Sequence, residues 1–190
     1  MNLPNVLTIS RIVLAIVLVF LLEERSSTGN ILAAVVFAIA SLTDFYDGHL
    51  AKKRGLVSSF GKIMDPIADK ILILSTFGVL AHIGMIAWWM FIVITLREVL
   101  VTASRLLAFC HGQVLAAERA GKVKTVVQII AVLSILLYLV AQGSEYCTWF
   151  YHAQRIWLGI NDVLMIWAVI MTIYSGIDYF RNRSKSEDLK

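Results

Sequence analysis

Apolar residues along the chain fall into six long segments separated by short polar stretches. Several of these segments have uninterrupted apolar cores of only about a dozen residues, whereas a helix needs about 20 to cross a membrane. They reach that length only by including polar residues at one end. The pattern predicts an all-α integral membrane protein with six transmembrane helices. The predicted spans cover residues 6–22, 31–50, 66–83, 85–109, 123–142 and 156–180.

Composition agrees with a membrane location. Hydrophobic residues make up 59% of the 190 residues and charged residues 16%, against roughly 45–50% and about 25% in soluble domains. A soluble fold of this composition would have too little polar material to cover its surface. The excess apolar surface is therefore expected to face lipid.

Basic residues distinguish the two sides of the membrane. The connections near residues 23–30, 83–85 and 143–155 hold only Arg25 and Arg155 of the 17 lysines and arginines, and the other 15 lie at the opposite ends of the segments. Because basic residues concentrate on the cytoplasmic side of membrane proteins, both termini are predicted to be cytoplasmic.

No internal repeat or long linker divides the chain. One membrane domain is predicted over residues 1–181, and a charged cytoplasmic tail over residues 182–190 is expected to be solvated and disordered, within reach of anionic headgroups. Cys110 and Cys147 are too few for a disulfide framework. The predicted topology places them on opposite faces, so two free thiols are expected.

Four aspartates stand at helical spacing around the second connection. Asp44 and Asp47 end the second segment, and Asp65 and Asp69 begin the third. Spacings of three and four place each pair on one helix face. Carboxylates at such depth are costly and usually functional, and oxygen ligands select Mg²⁺ or Mn²⁺. Two such ions can hold the attacking and leaving oxygens in phosphoryl transfer.

The connection between these pairs, with Gly61 as one of its two glycines, is expected to be a loop of about ten residues that lets the helix ends face each other. The alternative is that the aspartates pair with nearby lysines in a solvated interfacial belt. That alternative does not account for the repeated spacing of three and four.

The stretch from Asp44 to Asp69 reads D-x2-D-G-x2-A-K-x8-G-x3-D-x3-D. It resembles the signature of the CDP-alcohol phosphatidyltransferases, with Lys52 where the family has arginine. Lysine supplies a positive charge for a diphosphate but cannot grip it with two parallel hydrogen bonds. Asn5 to Thr8 is similar to the N-terminal P-N-x-[IVL]-T element of the same family.

The resemblance implies a role for each matching residue. Asp44, Asp47, Asp65 and Asp69 would bind two divalent cations, Mg²⁺ or Mn²⁺, and Asp69 would also be the catalytic base that deprotonates the acceptor hydroxyl. The site would face the cytoplasm, in the inner membrane of a bacterium. The CDP-activated lipid would be bound by Asn5, Thr8, Asp47, Gly48, Ala51, Lys52, Ser58 and Gly61.

Two further blocks bear on the acceptor alcohol: Arg97-Glu98 followed by Arg105, and Gly121-Lys-Val-Lys-Thr. Glu98 and Arg105 are seven residues apart and so share a helix face. The four cations of these blocks suit a phosphorylated acceptor, although the two lysines also fit as ordinary cytoplasmic-side residues. The predicted acceptor-phosphate residues are Arg97, Arg105, Lys122 and Lys124.

These blocks are similar to elements of the phosphatidylglycerophosphate synthases within the family. The implied substrates are CDP-diacylglycerol and sn-glycerol 3-phosphate, with membrane lipids around the protein and no nucleic acid as a partner. Family members are often homodimers, so the resemblance also implies a homodimer. Inositol phosphate, serine or phosphatidylglycerol are alternative acceptors. A cation transporter is the alternative from another class, but it would place the carboxylates near the bilayer midplane.

Asn161 and Asp162 in the last segment have no place in this chemistry. A helix-end cap or a hydrogen bond between helices is the expected role.

Overall fold

The computed structural model describes the backbone of residues 3–54, 59–110, 119–143 and 148–187, and the side chains of residues 9–43, 70–108, 120–143 and 153–182. Within these residues the chain forms six helices and no strand, so the all-α prediction is confirmed. The helices are α1 (Leu3–Glu23), α2 (Ser27–Arg54), α3 (Ser59–His82), α4 (Trp88–Cys110), α5 (Arg119–Gln142) and α6 (Thr148–Glu187).

Two helix ends differ from the sequence prediction. α3 begins at Ser59, seven residues before the predicted span, so Gly61 lies within the helix and only residues 55–58 separate α2 from α3. A single glycine in a helix interior costs only about 1 kcal/mol relative to alanine, which is too little to end a helix. At the other end of the chain, α6 continues to Glu187, so the segment from residue 182 is helical to that point rather than disordered.

A tight connection joins α1 to α2. Arg25 adopts a positive φ of 54°, a left-handed conformation that reverses the chain after α1. The hydroxyl of Ser26 then accepts a hydrogen bond of 2.9 Å from the backbone N–H of Gly29, the usual arrangement of a serine that caps a helix N-terminus. The two helices are therefore held as a close hairpin.

The connection from α3 to α4 is built around Gly84. Its φ of +80° is readily adopted only by glycine. The N–H of Gly84 bonds to the carbonyl of Ala81 at 3.2 Å, and the N–H of Met85 to that of Leu80 at 2.9 Å. These two bonds form a Schellman motif, which satisfies carbonyls at the end of α3.

The main helix contacts close into a ring in the order α1, α2, α5, α6, α4, α3 and back to α1. Large apolar side chains fill the space between the helices: Phe37, Phe77, Leu80, Ile94 and Leu136 are fully buried. Within this ring, residues of α3, α4 and α5 line one cavity, and α6 contacts α4 beside it. The functional site described below is built at that place.

The outer surface of the described bundle is strongly apolar. Exposed isoleucine, leucine, valine and tryptophan side chains run along α1, α2, α4, α5 and α6, as expected where helices face lipid. Two helical stretches among the described residues, Ala120–Gln142 and Ala153–Asn182, are long and apolar enough to cross a membrane. The protein thus has the apolar helices of a membrane protein.

Polar side chains join α5 to α6 within this apolar setting. Asn161, whose role the sequence left open, is buried and accepts a hydrogen bond from a serine hydroxyl of α5. This contact is the expected hydrogen bond between helices. Along the helix pair the bonds are Gln128 to Thr172 at 3.1 Å, Ser134 to Asn161 at 2.6 Å and Gln154 to Tyr138 at 3.0 Å.

Candidate functional site

A cavity of about 210 Å³ opens where α3, α4 and α5 meet. All four residues that the sequence assigns to an acceptor phosphate line it, so the two sequence blocks, which lie on separate helices, are brought together. We call this space the basic cavity. Its lining residues are Lys70, Arg97, Glu98, Val101, Thr102, Arg105, Gly121, Lys122, Lys124 and Thr125.

Glu98 is the buried centre of the basic cavity. Its side chain is only 1% exposed, and its carboxylate pairs with cations from three helices. Lys124 of α5 donates a hydrogen bond to Oε1, Lys70 of α3 lies 2.9 Å from Oε2, and Arg97 of α4 lies 3.5 Å from Oε1. Because a buried carboxylate is costly unless paired, these cations are held together around it.

Lys70 was not among the site residues predicted from the sequence. It follows Asp69 directly, and its ammonium lies against Glu98. The signal was present in the sequence, since a lysine beside a predicted metal ligand is close to any anionic substrate. Its partner, however, lies 28 positions further along the chain and became visible only in the structure.

Arg97 is fixed by residues of α6 as well as by Glu98. One of its terminal nitrogens donates a hydrogen bond of 2.7 Å to the hydroxyl of Ser175. Its side chain crosses α6 at Gly176, where an added Cβ would lie 3.2 Å from the arginine Cγ. A larger residue at that position would therefore press on the arginine.

Arg105 also rests on α6. Its guanidinium carbon lies 5.3 Å from the centre of the Tyr179 ring, within the range of a cation–π contact. The Tyr179 hydroxyl is 3.2 Å from that of Ser104, so the ring itself is tied to α4. The arginine side chain is otherwise on the exposed side of the helix.

The charge of the basic cavity favours a small anion. Five cationic side chains and one carboxylate line it, a formal surplus of four positive charges. A phosphate monoester carries about −1.5 to −2 at neutral pH and would complement that surplus. The cavity is smaller than the roughly 300–1,000 Å³ of pockets that hold drug-sized ligands, a size that fits a short phosphorylated alcohol.

The predicted metal ligands occupy the expected helices. Asp44 and Asp47 lie in α2, and Asp65 and Asp69 lie in α3, but their side chains are outside the described residues. Among the described side chains, no group of three or more histidines, cysteines, aspartates and glutamates could hold a metal ion. The donor set, four carboxylates at helical spacing, has the oxygen chemistry that Mg²⁺ and Mn²⁺ require.

The predicted contacts to the CDP-activated lipid also fall outside the described side chains. All but one of these residues belong to α1, α2 or α3, and the exception lies between α2 and α3, outside the described backbone. Their roles stay predictions. The residues are Asn5, Thr8, Asp47, Gly48, Ala51, Lys52, Ser58 and Gly61.

Comparison with known proteins identifies the class. The family model of the CDP-alcohol phosphatidyltransferases matches residues 1–174, which is most of the chain, and the protein belongs to that family. It is thus an enzyme of the class that transfers a phosphatidyl group, and the resemblance found in the motif at residues 44–69 is confirmed.

Relatives in several bacteria carry a more specific name. The chain is 35% identical to CDP-diacylglycerol–glycerol-3-phosphate 3-phosphatidyltransferase of Bacillus subtilis, over 94% of this chain and 93% of the relative. It is 38% identical to the protein of that name in Rickettsia felis, over 95% and 94%. It is 37% identical to a probable phosphatidylglycerophosphate synthase of Mycobacterium tuberculosis, over 94% of this chain and 79% of the relative.

Proposed function

We propose that the protein is a phosphatidylglycerophosphate synthase. It transfers the phosphatidyl group of CDP-diacylglycerol to sn-glycerol 3-phosphate and releases CMP. The observation that carries the acceptor assignment is the meeting of Arg97, Arg105, Lys122 and Lys124 around one cavity. An acceptor without a phosphate would leave this concentration of positive charge unpaired. The names of the relatives support the same assignment.

The proposed acceptor site lies beside the proposed base on α3. Lys70 lines the basic cavity and directly follows Asp69 in α3. An acceptor phosphate held by the cations of the cavity would therefore present its alcohol to the same part of α3. Fixing the acceptor in this way raises the effective concentration of its hydroxyl at the reacting phosphorus.

Asp69 acts as the general base in the proposed reaction. Its carboxylate accepts the proton of the glycerol 3-phosphate 1-hydroxyl, and the hydroxyl oxygen forms a bond to the β-phosphorus of the CDP-lipid as the bond to CMP breaks. Asp44, Asp47, Asp65 and Asp69 would hold two divalent cations, Mg²⁺ or Mn²⁺. When bound, such cations supply positive charge to the attacking and leaving oxygens.

The CDP-lipid would be held by the amino-terminal half of the chain. A nucleotide must approach a helix backbone closely, and small residues at Gly48, Ala51 and Gly61 permit that approach. Lys52 adds a positive charge for the diphosphate. Asn5, Thr8, Asp47 and Ser58 complete the proposed set.

The proposed topology has six membrane-spanning helices in a bacterial inner membrane. In this topology fifteen of the seventeen basic residues fall on the side of both termini, which supports a cytoplasmic orientation of that side. Glycerol 3-phosphate would then enter from the cytoplasm, while the acyl chains of the CDP-lipid lie in the bilayer. A homodimer stays a prediction from the family resemblance.

Turnover with four candidate acceptors tests the acceptor assignment. Purified protein in mixed micelles with CDP-diacylglycerol and Mg²⁺ is supplied in turn with radiolabelled glycerol 3-phosphate, inositol phosphate, serine and phosphatidylglycerol. Product formation with glycerol 3-phosphate at a kcat/KM at least tenfold above the others is expected. A preference for any of the other three acceptors would overturn the assignment while leaving the family chemistry in place.

A further inference from the structure

We infer that Ser175 and Tyr179 of α6 are positioning residues that hold the two arginines of the basic cavity in their phosphate-binding orientation. This inference rests on the proposed function, which gives the basic cavity its ligand. The last helix matched no functional motif in the sequence, so neither residue had been connected with the chemistry. Their roles follow from the contacts they make with α4.

The two residues share one buried face of α6. They are four positions apart, which places them one above the other on a helix, and they are 0% and 3% exposed. The neighbouring Tyr174, Ile177 and Phe180 point outward and are 45–64% exposed. The buried face of the helix thus presents a hydroxyl and an aromatic ring to α4, whereas these three large side chains cover the opposite, outward face.

Each of the two residues contacts one arginine. The Ser175 hydroxyl accepts a 2.7 Å hydrogen bond from Arg97, and Gly176 leaves room for the arginine side chain to pass. The Tyr179 ring lies 5.3 Å from the guanidinium carbon of Arg105. Neither α6 residue lines the basic cavity itself, so each acts on the ligand only through its arginine.

Holding an arginine in its binding orientation before the ligand arrives lowers the entropic cost of binding. A long cationic side chain loses rotamer freedom when it grips a phosphate, at a cost of about 0.5–1.5 kcal/mol. Contacts from α6 remove that freedom in advance. Loss of such a contact is therefore expected to weaken acceptor binding and to leave the chemical step and the CDP-lipid site nearly unchanged.

Steady-state kinetics of the full-length enzyme tests the serine. Ser175→Ala is expected to raise the KM for glycerol 3-phosphate about three- to tenfold, with kcat and the KM for CDP-diacylglycerol within about twofold of the original protein. In an Arg97→Met background, which has no donor for the serine hydroxyl, Ser175→Ala should add almost nothing. Equal rises in both KM values, or full additivity of the two substitutions, would overturn the inference.

A graded series tests the tyrosine. Tyr179→Phe keeps the ring and should change the glycerol 3-phosphate KM by less than about twofold, while Tyr179→Leu should raise it about two- to fivefold. Increasingly fluorinated phenylalanines at this position keep the shape and weaken the negative ring face, so the KM should rise with fluorination even if the leucine variant does not fold. A KM that is independent of fluorination would contradict the cation–π role. Tyr174→Leu, on the exposed side of the same helix, is the matched control.

Binding of inorganic phosphate distinguishes a failure of the positioning role from a failure of the acceptor assignment. Phosphate should raise the thermal midpoint of the original protein, and Ser175→Ala should raise the phosphate concentration that gives the same rise about three- to tenfold. If this shift occurs in a protein that does not use glycerol 3-phosphate, the acceptor assignment fails and the positioning role stands. If glycerol 3-phosphate is used but neither the KM nor phosphate binding responds, the positioning role fails.

Discussion

The carboxylate of Glu98 on α4 lies 2.9 Å from the ammonium of Lys70 on α3. This ion pair joins the basic cavity to the turn of α3 that contains Asp69, the proposed base. The same carboxylate pairs with Lys124 of α5. One acidic side chain therefore links three helices at the point where the acceptor and the reacting phosphorus are proposed to meet.

Replacement of Glu98 by glutamine should destabilise the protein strongly. It would leave the buried ammonium of Lys124 without its counter-charge, and removing one partner of a buried ion pair costs about 3–5 kcal/mol. The thermal midpoint should fall by roughly 6–20 °C, at about 2–4 °C per kcal/mol for a chain of this size. The measurement is thermal unfolding in detergent.

Two further variants define this effect. Glu24→Gln, at an exposed position, should leave the midpoint unchanged. The double variant Glu98→Gln with Lys124→Gln should recover part of the loss, because no unpaired charge stays buried. A midpoint for Glu98→Gln within about 1 °C of the original protein would contradict the ion-pair account.

Neutralisation of Arg105 should affect one substrate selectively. Arg105→Ala removes a cation of the basic cavity, and a hydrogen bond to a charged group is worth about 1.5–3 kcal/mol. Because the side chain is exposed, the lower limit applies, and the KM for glycerol 3-phosphate should rise about tenfold. The KM for CDP-diacylglycerol should change far less. Arg155→Ala, an exposed arginine of α6 outside the cavity, is the control, and equal effects on both substrates would count against an acceptor site.

Substitution of the proposed base should separate binding from chemistry. Asp69→Asn keeps the shape of the side chain but cannot accept the acceptor proton, so turnover should fall at least a hundredfold, the contribution of a positioned general base. Binding of CDP, followed by isothermal titration calorimetry, should be largely retained. Asp178→Asn, a carboxylate of α6, serves as the control. Near-normal turnover by the Asp69 variant would remove that residue from the role of base.

Removal of divalent cations should abolish activity reversibly. Four carboxylates on α2 and α3 would repel one another without cations, and the transferred phosphate would lack its charge stabilisation. Dialysis against a chelator is expected to stop product formation, and added Mg²⁺ or Mn²⁺ should restore it, whereas Ca²⁺, with its longer and more flexible coordination, should restore it poorly. Full activity after exhaustive chelation would refute the metal assignment.

The two cysteines provide a test of the proposed topology. A membrane-impermeant maleimide added to intact spheroplasts should label Cys147, near the connection that precedes α6, and should leave Cys110 unlabelled until the membrane is permeabilised. Cys110→Ser and Cys147→Ser, each with one remaining thiol, assign the signal. Labelling of Cys110 from outside, or of both residues alike, would contradict six spans with cytoplasmic termini.

The apolar segments of the sequence, and the cations within them, predicted much of the architecture and the cationic part of the site. The six apolar segments anticipated the six helices of the described residues, because a helix that packs in an apolar bundle needs a long apolar run. Arg97 and Lys124 were assigned to one pocket because cations in apolar segments are costly and need an anionic partner. The structure brings both to the basic cavity.

Features that depend on distant partners were missed. Ser175 looks like an ordinary small residue in an apolar helix, and its value comes from a hydrogen bond to a residue 78 positions away. Tyr179 resembles a member of an interfacial aromatic belt until its ring is seen beside Arg105. The start of α3 was also placed too late, since hydropathy marks the part of a helix that lies in lipid and not the polar turns that precede it.

In the proposed topology both α5 and α6 cross the bilayer, and the polar bonds between them then bear on how the chain enters it during synthesis. Gln128 and Asn161 are satisfied by the partner helix, so either helix alone would carry an uncompensated amide into the hydrocarbon. Leaving the translocation channel as a helical hairpin avoids that penalty. The side chains that fix the final packing of the carboxy-terminal pair thereby also favour its joint release into the lipid.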